Sequence, residues 1–284
     1  MFVLFCCLSL RTGWSQVSVA LVFDQEQYLA DEALVVKVRV TNLSGRPVTF
    51  GRQADWLSFS VESKDNQVVQ QVQEVPVRGE FSLETATTGI KKVDLAPCFT
   101  LYRSGRYSVR ATVKVPEWNQ EFTSPPATFD ITSGTKLWET SFGVPSSAGI
   151  PEVRKYILMQ SRTTKGLKMY VRIADQAMTR NFRVYALGPM VSFTNPEAQL
   201  DEKNNLCVLF QTGARAFNYC VIGPDGELAQ KAVYEYGTTR PVLKLNADGK
   251  LGVVGGVRRP SPDDRPEAKP PEIAPSSDAK NPQP

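Results

Sequence analysis

Residues 28–50 read YLADEALVVKVRVTNLSGRPVTF, and residues 104–113 read SGRYSVRATV. In the first stretch Leu34, Val36, Val38 and Val40 alternate with Lys37 and Arg39. A period of two is the signature of a strand with one buried and one wet face. Tyr28-Leu29-Ala30-Asp31-Glu32 predicts a bend before it, and Asn42-Leu43-Ser44-Gly45 a turn after it. Pro47–Phe50 then resumes extended chain. The second stretch reads as a late strand.

Working outward, the same grammar runs from residue 17 to residue 132. Val17–Phe23, Trp56–Glu62, a strand near Val68–Val77, Val93–Leu95, Phe99–Tyr102 and Ala127–Ile131 are further candidate strands, separated by turns. Roughly seven or eight strands at that spacing predict a β-sandwich over residues 16–132.

Tyr-x-x-x-Glu, an alternating strand, Asn-x-Ser-Gly and a late Gly-x-Tyr together resemble bacterial immunoglobulin-like domains, of the proteinase-inhibitor-like or macroglobulin-like kind. The resemblance implies that Tyr107 forms a tyrosine corner, its hydroxyl tying to upstream backbone. Val109 stands two residues after Tyr107, where antibody domains carry a cysteine, so no antibody-type disulfide is implied.

Residues 133–150, SGTKLWETSFGVPSSAGI, shift to Ser, Gly and Pro, with Leu137, Trp138 and Phe142 as apolar anchors. They read as a linker that packs at intervals. Residues 151–257 return to β, with an internal echo. Tyr156–Ser161 aligns with Cys207–Thr212, and Pro196, Leu200, Leu206 and Val208 align with Pro241, Leu245, Leu251 and Val253. Pro224-Asp225-Gly226 and Asn246–Gly249 are turn signals. Such hairpins resemble β-propeller blades, too few here to close a propeller. The expectation is a compact sheet or sandwich of propeller-like hairpins. Leu206, Val208 and Phe210 on one face, and Cys207 and Leu209 on the other, predict a strand buried on both sides. The overall fold class is all-β. Residues 258–284, Pro-rich and without aromatics, read as a disordered tail.

Residues 2–10, FVLFCCLSL, are too short to span a bilayer. Gly13 and Ser15 place small residues before a cleavage at Gln16, so residues 1–15 read as a signal peptide and the protein as secreted or periplasmic. No membrane span is expected after cleavage. Of the five cysteines, Cys98, Cys207 and Cys220 remain in the mature chain. A hairpin turn centred between Gly213 and Ala214 sets Cys207 opposite Cys220. Two readings stay open for that pair: a cross-strand disulfide, or two small buried hydrophobes side by side.

The chain of 284 residues has a net charge of +4 and no histidine. The charge is too mild and dispersed to predict nucleic-acid binding. Without histidine there is no Ser-His-Asp or Cys-His pairing, and the commonest zinc ligand is missing. Ser161 and Lys165 miss the Ser-x-x-Lys spacing. Asp24, Glu26, Asp31 and Glu32 form an acidic loop without a calcium-loop signature, and Asn42-Leu43-Ser44 matches a glycosylation acceptor. Tyr170, Tyr185, Tyr234 and Tyr236 are candidate recognition aromatics. No catalytic, metal or cofactor site is predicted. The expected function is an exported, non-enzymatic binding or adaptor protein whose partner is a protein or cell-envelope component. It would use the loops at 24–32, 52–55 and 116–120 and the tip at 212–216. The alternatives are an immunoglobulin-like proteinase inhibitor using the loop at 76–90, or a carbohydrate-binding module or carboxylate-based enzyme.

Overall fold

The computed structural model describes residues 16–65, 68–145, 151–245 and 250–260. The expected signal peptide, the turn at Asn246–Gly249 and the tail from residue 261 lie outside the described residues. The fold is all-β: the only helical elements among the described residues are two 3-10 turns, Ala96–Cys98 and Pro116–Trp118. No described helix is long and apolar enough to cross a membrane. The chain divides into two compact units. The first runs to Thr135 and takes in Ser161–Thr164; the second comprises Lys136–Gln160 and the chain from Lys165.

The first unit contains β1 (Val17–Phe23), β2 (Gln27–Leu29), β3 (Val35–Asn42), β4 (Val48–Phe50), β5 (Leu57–Ser63), β6 (Phe81–Leu83), β7 (Thr88–Asp94), β8 (Gly105–Val115), β9 (Gln120–Thr123) and β10 (Ala127–Thr132). One sheet runs β1-β3-β7 and the other β2-β10-β8-β5, with β9 beside β8; β4 and β6 form a separate pair. Val36, Val38 and Val40 of β3, and Tyr107, Val109, Ala111, Val113 and Val115 of β8, are all buried in one shared core. The alternation read from 28–50 is therefore the inner face of one sheet. The inner face of the other carries the 104–113 stretch.

Polar groups in this unit hold the bends that the strands require. The Glu32 carboxylate accepts from the Leu29 N–H at 2.8 Å and from the Gln25 amide at 2.9 Å, closing the bend before β3. Asn42 is fully buried: its amide donates to the carbonyls of Arg46 and Leu83 and its side-chain oxygen accepts from Ser44. That corrects its reading as a glycosylation acceptor, because the amide nitrogen is sealed inside the turn. Pro125 and Pro126 separate β9 from β10, which lie in succession along one side of β8. Prolines carry no N–H for the ladder. Ser124 bridges the gap, giving its N–H to the Ala111 carbonyl and accepting the Ala111 N–H on its hydroxyl.

The second unit contains β11 (Thr135–Val144), β12 (Glu152–Thr163), β13 (Gly166–Asp175), β14 (Asn181–Pro189), β15 (Glu197–Leu200), β16 (Leu206–Gln211), β17 (Ala216–Ile222), β18 (Leu228–Glu235), β19 (Val242–Leu245), β20 (Leu251–Val254) and β21 (Val257–Arg259). Its sheets run β11-β12-β13-β14 and β15-β16-β17-β18-β21, with β19 and β20 as a separate hairpin. Residues 135–144, read as linker, are thus a strand. The apolar anchors in that stretch face the core, where Phe142 stacks on Tyr156 at 4.2 Å. Pairing also continues past the expected end at 257, since β21 joins β18.

The residues of the internal echo lie on strands or at their ends. Tyr156–Ser161 and Cys207–Thr212 fall on or beside β12 and β16, each the second of four strands that neighbour one another in chain order. The other alignment maps the hairpin β15–β16 onto β19–β20, with Leu200↔Leu206 and Leu245↔Leu251 as equivalent closing pairs. β16 is buried along its whole length. One face joins a core shared with β12, β13 and β14; the other, with Cys207, Leu209, Phe217 and Tyr219, is covered by Leu243, Leu251 and Val253 of the hairpin.

Trp56 is 1% exposed and its indole N–H donates to the Val77 carbonyl at 2.8 Å, between Phe50 and Phe81. Trp56→Ala is expected to destabilise the first unit by about 3–5 kcal/mol. The check is the shift of that unit's transition in urea, followed by tryptophan-independent circular dichroism.

Candidate functional site

A hollow lies on the outer face of the second unit's sheet. It is a cleft of about 590 Å³ bounded by the β15–β16 turn, the outer faces of β16, β17 and β18, and the ladder end of the β19–β20 hairpin. Small-molecule sites run about 300–1,000 Å³. Pairing fixes its floor. Gln199↔Cys207, Cys207↔Val221 and Val221↔Gln230 are directly opposed across four strands, so these four side chains share one face in one row. An apolar centre is therefore flanked by a primary amide on each side. Tyr219 lines the cleft beside them, and its hydroxyl lies 3.5 Å from the Cys207 sulfur, to which it donates.

The wall is a turn built by Asp201. Its Oδ1 accepts the N–H groups of Lys203 and Asn205, each at 2.8 Å, and its Oδ2 accepts the Asn205 side-chain amide at 2.8 Å. Asn204 adopts φ +61° within that turn, a left-handed conformation that asparagine tolerates well. With both oxygens engaged, Asp201 is a structural carboxylate. Glu202, Lys203 and Lys250 complete the charged rim. Among the described residues no group of three or more Cys, Asp or Glu side chains is placed to hold a metal.

The expected pairing of Cys207 with Cys220 is corrected by the register. The turn centres on Ala214, since Gln211 pairs with Phe217, and Thr212 and Gly213 both donate to the Ala216 carbonyl. Cys220 therefore sits opposite Val208, and Cys207 opposite Val221. A slip of one residue sends a side chain to the other face. Cys207 looks into the cleft and Cys220 into the inner core, both as free thiols, as is Cys98. Burial raises the Cys207 thiol and pushes Cys220 up to about 12.

The other expected site residues do not converge on the cleft. The Tyr107 hydroxyl donates to the Arg103 carbonyl at 2.8 Å, four residues upstream. Asp24 pairs with Lys37, Arg52 with Glu80 and Asp55 with Lys114, so charges of the expected loops are tied to their own unit. At the 116–120 turn Arg46 lies over Trp118 at 5.1 Å. The 212–216 tip is held by Arg215, which donates twice to the Tyr236 carbonyl. The 76–90 stretch is no free loop: Val77 is buried and β6 pairs with β4. Tyr170, expected at the surface, is wholly buried, whereas Tyr236 is exposed. Tyr234 packs edge-on against Tyr219. A second hollow of about 220 Å³ beside Glu32 and Tyr102 is smaller, and the Glu32 carboxylate within it is already engaged.

Comparison with family models, with curated proteins and with solved structures finds no match. Function is therefore argued from the geometry of this chain alone. Gln199, Tyr219 and Gln230 were not singled out by the sequence; the signal for them is the row that the register creates, which the misplaced turn hid.

Two outcomes are expected for the ionisable groups. Peptide mapping under non-reducing conditions will recover Cys207 and Cys220 as free thiols, and a linked peptide would overturn the register. Second, burial raises Tyr28 to about 12, Cys220 to about 12, and Cys207, Tyr156 and Tyr219 as well. The folded state then keeps protons that the unfolded chain releases above its ordinary values of 9.0 for Cys and 10.0 for Tyr. Their stabilisation is complete below those values and is lost as pH rises from them toward the raised values of the folded state, so the urea midpoint will fall as pH rises from about 9 to about 12.

Proposed function

We propose that this chain is a non-enzymatic binding protein acting outside the cytoplasm, and that the cleft of the second unit is its ligand site. The observation that carries the reading is the form of the cleft: an apolar floor between two amides, walled by a carboxylate whose oxygens are both committed to its own turn. A general acid or base needs a proton-exchanging group facing the ligand. The chain has no histidine and Asp201 is engaged; the other ionisable groups of the cleft are Glu202, Lys203 and Lys250, exposed on its rim, and Tyr219, whose hydroxyl is given to Cys207. The buried thiol of Cys207, raised by burial, is a poor nucleophile.

Export rests on the apolar leader and the small residues before Gln16. The immunoglobulin-like reading of residues 16–132 is supported by two sheets facing one core and by the Tyr107–Arg103 contact. The partner is a component of the cell envelope or the extracellular medium.

Ala229 is exposed on β18 and lines the cleft, so a large side chain there fills it without entering the core. Native mass spectrometry of protein purified from its host's envelope fraction is expected to show a bound small molecule in the wild type that Ala229→Trp lacks. Equal occupancy in both proteins would overturn the cleft as the site, and recovery from cytosol alone would overturn export.

A further inference from the structure

We infer that the cleft takes a neutral saccharide, held by its hydroxyl groups on Gln199 and Gln230 and by an apolar ring face on Val221, the half-buried residue in the row between them. This rests on the cleft being the ligand site.

Three properties of the lining select the ligand class. Its formal charges cancel, two carboxylates against two lysines, and one of the carboxylates is held inside its turn. Such a site has no net pull on an anion or a cation. Next, the floor is apolar but does not stand alone: amides stand at both ends of one cross-strand row. Each carboxamide offers a donor and an acceptor together, the pair that a vicinal diol requires. A purely apolar ligand would strip water from both amides and return no hydrogen bond, which is unfavourable. Last, the cleft of about 590 Å³ is of a size for one or two sugar rings. Pyranoses combine these needs, with a C–H face for the floor and equatorial hydroxyls for the row.

The amides are accessible to a ligand. Gln199 is exposed on the outermost strand of the sheet and Gln230 is half-buried. Both positions accept leucine, which keeps their bulk and removes only the hydrogen-bonding groups.

The full-length protein should be screened on an array of neutral and acidic oligosaccharides covering hexose, N-acetylhexosamine and uronic-acid linkages. Titration calorimetry with the soluble form of any retained glycan then compares the wild type with Gln199→Leu/Gln230→Leu and Ala229→Trp. The expected result is retention of a neutral glycan, weakened about tenfold or more by the double substitution and abolished by Ala229→Trp. No retained glycan, retention of acidic glycans alone, or a double variant that binds as the wild type does would each overturn the saccharide assignment. A fluorescent aromatic anion, anilinonaphthalene sulfonate, separates that failure from failure of the site itself. Probe binding lost in Ala229→Trp would leave the cleft a ligand site of another class. A glycan bound equally by Ala229→Trp would overturn the cleft.

Discussion

A hairpin with no polar face dictates the plan of the second unit. β16 is buried from end to end, and β17 nearly so. A strand pair of that kind needs an apolar layer on each side, or it exposes one face to water. The chain supplies the first layer before the hairpin, as the β11–β14 sheet, and the second after it, as β19 and β20. The remaining polar groups are arranged around that requirement. Tyr156, in the middle of the inner core, gives its hydroxyl to the carbonyls of Asn204 and Ile222 at 3.1 and 3.2 Å. Arg154 crosses to the turn after β17, bonding Asp225 and the Pro224 carbonyl while lying over Phe182. Gly226, at φ +82°, lets that turn close in a conformation that side chains resist.

The first unit solves an easier problem. Its strands alternate cleanly, so each sheet buries one face and wets the other. The cross-strand contacts on the wet face are hydroxyl pairs and ion pairs, such as Thr41 with Thr88 and Arg106 with Asp130. Exposed pairs of this kind contribute little to stability. What they leave undisturbed is the register, which the valines of β3 and the alternating residues of β8 already set from the inside. The bends, by contrast, depend on single polar side chains: Glu32 before β3, Asn42 after it and Ser124 between β9 and β10.

This difference explains how much could be read in advance. Period-two alternation is local, and it located strands at β1, β3, β5 and β8, with the buried face of β3 read from its valines. The two-sided burial of β16 was legible as well, because apolar residues fill consecutive positions. The faces of Cys207 and Cys220 were not. They depend on whether the connecting turn is centred on a residue or between two, and Thr212–Ala216 carries no sequence signal that decides it. The backbone bonds of Thr212 and Gly213 to Ala216 do. Residues 135–144 failed for a similar reason. Their Ser, Thr and Gly are ordinary on an edge strand, and local composition cannot distinguish an edge strand from a linker. Asn42 shows the reverse case: a three-residue pattern that is chemically valid is removed from the surface by its fold.

The cleft follows from the same register. Where the β19–β20 ladder ends, at Leu245↔Leu251, the outer face of the sheet changes from aliphatic and aromatic side chains to amides. Nearer the centre the hairpin covers Leu209 and Phe217 and a dry contact is complete. At the end of the row, Gln199 and Gln230 cannot enter such a contact without losing their hydrogen bonds to water. A cover that packed tightly over them would cost stability; Leu245 and Leu251 of the hairpin line the hollow beside the row instead. The hollow that results has an apolar floor because Cys207 and Val221 are still part of the sheet, and a polar margin because the glutamines are not part of the core. Recognition of a ligand with one apolar face and a rim of hydroxyls is what that boundary leaves chemically unsatisfied.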